Sequence, residues 1–275
     1  MTEPRERFTA LAGLPDDRVD LAEAALWVAA EEYEDLDVPA YLERLDALAD
    51  DAAPMVGTRV SPVDRVAELN VFLFRGRGFT GNQERYEDPR NSFLNEVLDR
   101  RVGLPITLSI VYMEVARRLG LPVRGIGFPG HFLAQLEGSP GVVIDAFFGR
   151  LLSAEDCVER LRSVLGPEAE LVPEVHLRAA TPKEILARLL SNLKQVYARS
   201  GDWMRALSCC DRILLLAPDV AGELRDRGLV YERLACFTAA AADLERALEL
   251  TSDAEASGLL RERIDALRRC AGPLH

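Results

Sequence analysis

The sequence predicts an α+β protein: a helical N-terminal region, a mixed helix–strand core, and then an all-α array of paired helices. Two observations carry this. Residues 101–150 read RRVGLPITLSIVYMEVARRLGLPVRGIGFPGHFLAQLEGSPGVVIDAFFGR, a long apolar helical run followed by short β-like runs. The last hundred residues show helical spacing only, and they repeat with a fixed period.

Composition bounds the rest. The 275 residues suffice for one large or two ordinary domains. Hydrophobic content of 48% and charged content of 28% describe a soluble globular chain. No apolar run reaches the ~18 residues of a membrane-spanning helix, so no membrane role is expected. The N-terminus, MTEPRERFTALAG, is charged and lacks the apolar centre of a signal peptide, so a cytoplasmic location is expected. A net charge of −12 repels phosphate backbones and argues against nucleic acid as the partner. The five cysteines (Cys157, Cys209, Cys210, Cys236 and Cys270) include no CxxC pair. The three histidines (His131, His176 and His275) are scattered, so no metal is expected.

Residues 1–60 are expected to be helical. Leu21, Ala24, Ala25, Val28 and Ala29 recur at the spacing of one helix face. Asp20 is the expected N-cap, with Glu23 as its capping-box partner. Tyr41, Leu42, Leu45, Leu48 and Ala49 repeat the pattern in a second helix, with Pro39 in its first turn. A third helix spans residues 61–75, capped by Ser61 and opened by Pro62. Gly76, Gly78 and Gly81 then start a polar loop, GRGFTGNQERYEDPRN. NSFLNEVLDRR, from Asn91 to Arg101, reads as one short helix capped by Ser92. Asn91, Asn95, Asp99 and Arg100 cannot all lie unpaired in an apolar core. They are either surface residues or the polar wall of a pocket.

In the core, Ile106–Leu119 is helical and Gly120-Leu121-Pro122 stops it. Val123–Phe128 and Phe132–Leu136 are strands, and Pro129-Gly130-His131 separates them. Val142–Ile144 is a third strand, ending on Asp145. His131 and Asp145 thus fall at matching ends of neighbouring strands. They are expected to hydrogen-bond, with His131 donating Nδ1–H. Ser153 and Asp156 form a capping box for the helix SAEDCVERLRSVLG. Cys157, in its first turn, reads as a packing residue, because Glu155 and Asp156 oppose a thiolate. Residues 167–180 read as a linker, with His176 exposed.

The tail repeats. Tyr197 and Tyr231 are 34 residues apart, as are Leu190 and Leu224, Ala206 and Ala240, and Leu214 and Leu248. That is the period of the tetratricopeptide repeat. Residues 253–271 are the expected capping helix. Two domains follow: residues 1–175 (helical to 100, core 101–165) and residues 181–275.

These segments together resemble the SirB family: NSFLNEVLDRR, GLPITLSIVYMEVARRLGLPV, GIGFPGHFLAQL, VVIDAFFGRLLS and the NLKQVYARSGDWMRAL tail. The resemblance covers roughly residues 15 to 265. It implies a papain/transglutaminase-like core followed by tetratricopeptide-type helices, in a bacterial protein. In the wider transglutaminase-like superfamily the helix begins G-x-C, and catalytic His and Asp follow on successive strands. Laid on this chain, those positions are His131 and Asp145, and Pro105 stands where the cysteine belongs. Proline offers neither a nucleophile nor an N–H, so thiol chemistry is not expected. Thr107 and Ser109 are the nearest hydroxyls along that helix.

Two functional readings stand. The first is a non-catalytic scaffold and protein-interaction module, a pseudoenzyme whose remnant dyad is His131 and Asp145. Asn91, Asn95, Pro105 and Thr107 are its candidate binding residues, its partner is protein, and no cofactor is needed. The second is a hydrolase or acyltransferase on amide bonds, using His131 and Asp145 with an unorthodox nucleophile. His131 itself is either a lock between two strands or part of a retained pocket.

Overall fold

A computed structural model describes residues 3–57, 61–139 and 141–271; His275 and residues 58–60, the last of the segment expected to be helical, lie outside them. The chain forms two compact units, residues 1–185 and 186–275.

Unit 1 opens with helices α1 (Glu3–Ala12), α2 (Leu21–Ala30), α3 (Val38–Val56) and α4 (Pro62–Asn70). Asp20 caps α2, accepting from Glu23 N at 2.9 Å. The box does not close, because the Glu23 carboxylate accepts from the Trp27 indole instead, at 3.1 Å. Asp37 caps α3 by accepting from Ala40 N at 3.0 Å. Ser61 stands at the N-cap of α4 but makes no side-chain cap bond. The helix expected to run to residue 75 ends in a π turn, Val71–Gly76, closed by Arg77 N on Phe72 O at 2.8 Å.

The polar loop hides structure. β1 (Thr80–Gly81) pairs in parallel with β2 (Val102–Gly103). Between them lie a 3₁₀ turn, Pro89–Ser92, and α5 (Leu94–Arg100). The expected Ser92 cap is therefore displaced: Ser92 closes the turn and Phe93 stands at the N-cap of α5.

Helix α6 (Pro105–Arg118) is the centre of the unit, with every residue from Pro105 to Ala116 buried. Its one buried carboxylate, Glu114, is paired with Arg117 at 2.8 Å and Arg118 at 2.6 Å. A four-stranded antiparallel meander follows: β3 (Val123–Ile126), β4 (Leu133–Leu136), β5 (Val143–Asp145) and β6 (Arg150–Leu152), in that order. The Ser153–Asp156 capping box opens α7 (Ala154–Leu165), with bonds of 3.1 and 2.8 Å. The linker is built rather than loose. It holds the short helix α8 (Pro173–His176), and half-buried His176 accepts from Val172 N at 2.9 Å. Ala179 then bridges Ile126, and Ala180 N donates to Gly125 O at 2.9 Å. This covers the outer edge of β3, where unpaired backbone groups would otherwise face solvent.

Helix α9 (Pro182–Ser200) carries the chain into unit 2. Helices α10 (Trp203–Leu216), α11 (Ala221–Arg233), α12 (Phe237–Leu250) and α13 (Ala254–Ala271) follow. The period-34 positions Leu190, Ala206, Leu224 and Ala240 are all buried. At Gly228, a Cβ would meet Leu244 Cδ2 at 2.8 Å and Ala240 O at 3.2 Å, so α11 and α12 pack backbone to backbone there. Helix α13 covers the last apolar face with Leu260, Ile264 and Leu267. Arg227 ties the layers together, reaching Asp243 at 2.7 Å and Asp211 at 3.0 Å. Among the described residues no helix is long and apolar enough to cross a membrane.

Candidate functional site

The β4–β5 register pairs Ala134 with Ile144 and Gln135 with Val143. Extending it sets Leu133 opposite Asp145, with His131 two residues outward on the same face. The turn before the histidine is fixed by Gly130 at φ +66°, and Val164 packs where a Cβ would sit. His131 Nε2 therefore reaches Asp145 Oδ1 at 3.0 Å. The expected bond is present, but through Nε2 rather than Nδ1. A carboxylate only accepts, so Nε2 carries the proton.

Asp145 is wholly buried and has four donors. Oδ1 also accepts from Phe147 N at 3.1 Å and Phe148 N at 3.4 Å. Oδ2 accepts from Arg160 Nη2 at 2.7 Å. Burial alone would raise this carboxyl. The His131 hydrogen bond and charge, the Arg160 charge and the Phe148 N–H outweigh it and hold Asp145 below the usual carboxylate range. Aromatic rings enclose the histidine: Phe147 edge-on at 6.1 Å and Phe148 stacked at 6.4 Å. Phe148 is 47% exposed and lies beneath the guanidinium groups of Arg150 and Arg160, at 5.7 and 5.8 Å. Tyr86, also half exposed, meets Phe147 edge-on at 6.0 Å.

Pro105 is buried as the first residue of α6 and offers no reactive atom. Thr107, two residues on, is fully engaged. Its hydroxyl donates to Asn91 O at 2.7 Å and accepts from Leu104 N at 3.0 Å. Asn91 is wholly buried too. Its Nδ2 donates to Arg85 O at 2.7 Å, and its Oδ1 accepts from Asn82 at 3.0 Å and Arg100 at 3.2 Å. These two residues pin the loop 82–91 against the start of α6. Asp99 and Arg100 stay nearer the surface, and Asp99 accepts from Tyr41 at 2.7 Å. Asn95 Oδ1 and Ser109 Oγ are buried and have no partner among the described residues. Ser109 stands one turn after Pro105 on the same helical face. Cys157 is buried, and burial, followed by the Asp156 charge, pushes its thiol up.

Sequence reasoning missed Arg160, Phe148 and Tyr86. A signal for Arg160 existed: it lies within the stripe Cys157, Leu161, Val164, at the edge of the buried face of α7. Nothing local pointed it at Asp145. Among the described residues no three His, Cys, Asp or Glu side chains converge as a metal-ligand group.

A family model of the transglutaminase-like superfamily matches residues 39–191, and a tetratricopeptide repeat model matches residues 193–265. A UPF0162 protein of Xylella fastidiosa is 41% identical over 252 residues, 88% of each chain. Another, of Pseudomonas aeruginosa, is 36% identical over 252 residues, 90% of each chain. Protein SirB1 of Salmonella typhimurium is 28% identical over 236 residues, 85% of this chain and 86% of its own. No solved structure matches the chain. The helix-led core, the repeat helices that follow it and relatives matched over most of their length agree: the chain belongs to the transglutaminase-like superfamily, as a member of the UPF0162/SirB1 family.

Proposed function

We propose that this protein is a non-catalytic, transglutaminase-like scaffold that works in the cytoplasm by holding a protein partner, with the repeat helices as its interaction module. The observation that carries the reading is Pro105. The helix start that bears the thiol in the superfamily's enzymes has no nucleophile here, and all five cysteines lie at or after Cys157. His131 and Asp145 then serve as a rigid wall, with the exposed rings of Phe148 and Tyr86 as the surface a partner meets. The net charge of −12 favours protein over nucleic acid as that partner. The reading requires no metal and no cofactor.

One observation favours a second reading, a hydrolase or acyltransferase on amide bonds. Ser109 Oγ is a buried hydroxyl with no partner among the described residues, one turn from Pro105. A single experiment separates the two. A photo-cross-linker replaces Phe148 in the full chain, in cells, and purified protein is offered amide and ester acyl donors. The scaffold reading expects one discrete protein adduct and no turnover. Turnover that disappears in both His131→Ala and Ser109→Ala would establish the enzyme instead.

A further inference from the structure

Away from the His131 site, unit 1 has a cleft of about 220 Å³ with three arginines in its wall: Arg44, Arg77 and Arg101. Its floor is apolar, built from Leu48, Phe79 and Leu98, and Asp51 is the one acid lining it. Two of the cations are partly committed. Arg44 pairs with Asp99 at 2.5 Å and lies over the Tyr41 ring at 4.7 Å. Arg77 pairs with Asp51 and lies over the Phe72 ring at 5.0 Å. Arg101 differs. Among the described residues it has no carboxylate partner and one side-chain bond, from Nη1 to Arg77 O at 2.9 Å.

Its backbone differs too. Arg101 caps α5 in the left-handed region, at φ 60° and ψ 23°, where helices ordinarily place glycine. The conformation is held by Arg101 N on Val97 O at 2.8 Å and Thr80 N on Arg101 O at 2.9 Å. A strained side-chain-bearing residue, kept where glycine would fit better, is a recurrent mark of functional positions. Three cations against Asp51 and Asp99 leave a local surplus of one positive charge, within a chain of net charge −12. Arginine forks match the oxygens of a phosphoryl group, and an apolar floor strengthens such contacts.

We propose that this cleft binds a phosphate monoester, with Arg101 as its principal ligand and Arg77 and Arg44 flanking it. The exposed Arg77–Asp51 pair is weak enough to be displaced by the incoming dianion. The cleft admits a phosphoryl group together with part of what carries it, and the three arginines of its wall are the groups that read the phosphate.

The test uses the full chain and inorganic phosphate, against chloride at matched ionic strength. Phosphate stabilises folded proteins non-specifically, so melting alone is not the readout. The readout is a saturable shift of arginine Nε–H resonances by NMR. Saturation is expected, with affinity falling roughly ten- to hundredfold in Arg101→Gly, which relieves the backbone while removing the cation. Arg77→Gln should also weaken binding, and Asp51→Asn should tighten it. A phosphoserine peptide and a hexose phosphate, titrated in parallel, distinguish a protein source from a metabolite. Shifts that fail to saturate, an Arg101→Gly variant of unchanged affinity, or binding of neither ester would each overturn the proposal.

Discussion

Asp145 is the residue on which the His131 site rests, and its charge state makes a testable claim. Its folded carboxyl is held below the ordinary value of 3.8. A depressed carboxyl contributes stability that is complete above the unfolded value and is lost as pH falls through the folded one. The stability gap between wild type and Asp145→Asn should therefore be widest at neutral pH and close progressively in acid. Urea unfolding at several pH values measures it. At neutral pH the substitution should cost about 3 kcal/mol, because Arg160 loses its anion inside the fold. A gap that stays constant down to pH 2 would mean that Asp145 is not ionised by its neighbours. Arg101 makes the opposite kind of claim. Arg101→Gly removes backbone strain and should stabilise the chain by about 1 kcal/mol, read as a raised urea midpoint with an unchanged slope. Part of this residue-scale picture was legible beforehand. His131 and Asp145 could be paired from the sequence because strand ends in an antiparallel meander meet by register. Arg160 and the Asn91–Thr107 link could not, since each joins segments whose pairing no local period encodes.

At the scale of elements, length decided what could be read. Helix α6 and strands β3 to β5 announce themselves by apolar spacing. β1 and β2 have two residues each, and alternation needs more than that to show. β6 has three residues and merges in sequence with the turn after Asp145. Yet the β1–β2 ladder matters to the site. Gly81 N donates to Phe147 O at 3.0 Å, and a Cβ on Gly81 would lie 2.4 Å from the Phe147 ring. That ring is buried and rests edge-on against both His131 and Phe148. It has no room to retreat, so Gly81→Ala should destabilise the chain by about 1–3 kcal/mol, the usual cost of overpacking. It should also shift the His131 ring resonances, although residue 81 lies 50 positions away in sequence. An unmoved His131 spectrum with normal stability would show that the ladder does not hold the site.

For the whole molecule, the two-unit plan was legible because it rests on long-range regularity: a 34-residue period survives many local substitutions. The division expected between residues 175 and 181 stands beside a unit 1 that runs to residue 185, through a linker with its own structure. The distribution of thiols across this plan gives the sharpest test of the proposal that Pro105 stands at a nucleophile's position. Cys236 and Cys270 are exposed, whereas Cys157, Cys209 and Cys210 are buried. Burial pushes the Cys210 thiol up to about 12. A disulfide reagent should therefore titrate two thiols promptly in the native protein and the other three only as it unfolds. Against that background, Pro105→Cys adds a thiol at the first residue of the 14-residue helix α6. There the helix dipole favours a thiolate. If Pro105 occupies the position of a vanished nucleophile, His131 stands within reach to hold the proton. The new thiol should then react with iodoacetamide near pH 6 far faster than a free cysteine, whose value is about 8.5. The double variant with His131→Ala should lose that excess while keeping the fold. Fast reaction that survives the loss of His131 would assign the effect to the helix alone. A thiol that titrates near the free value would place the lost nucleophile elsewhere on the chain.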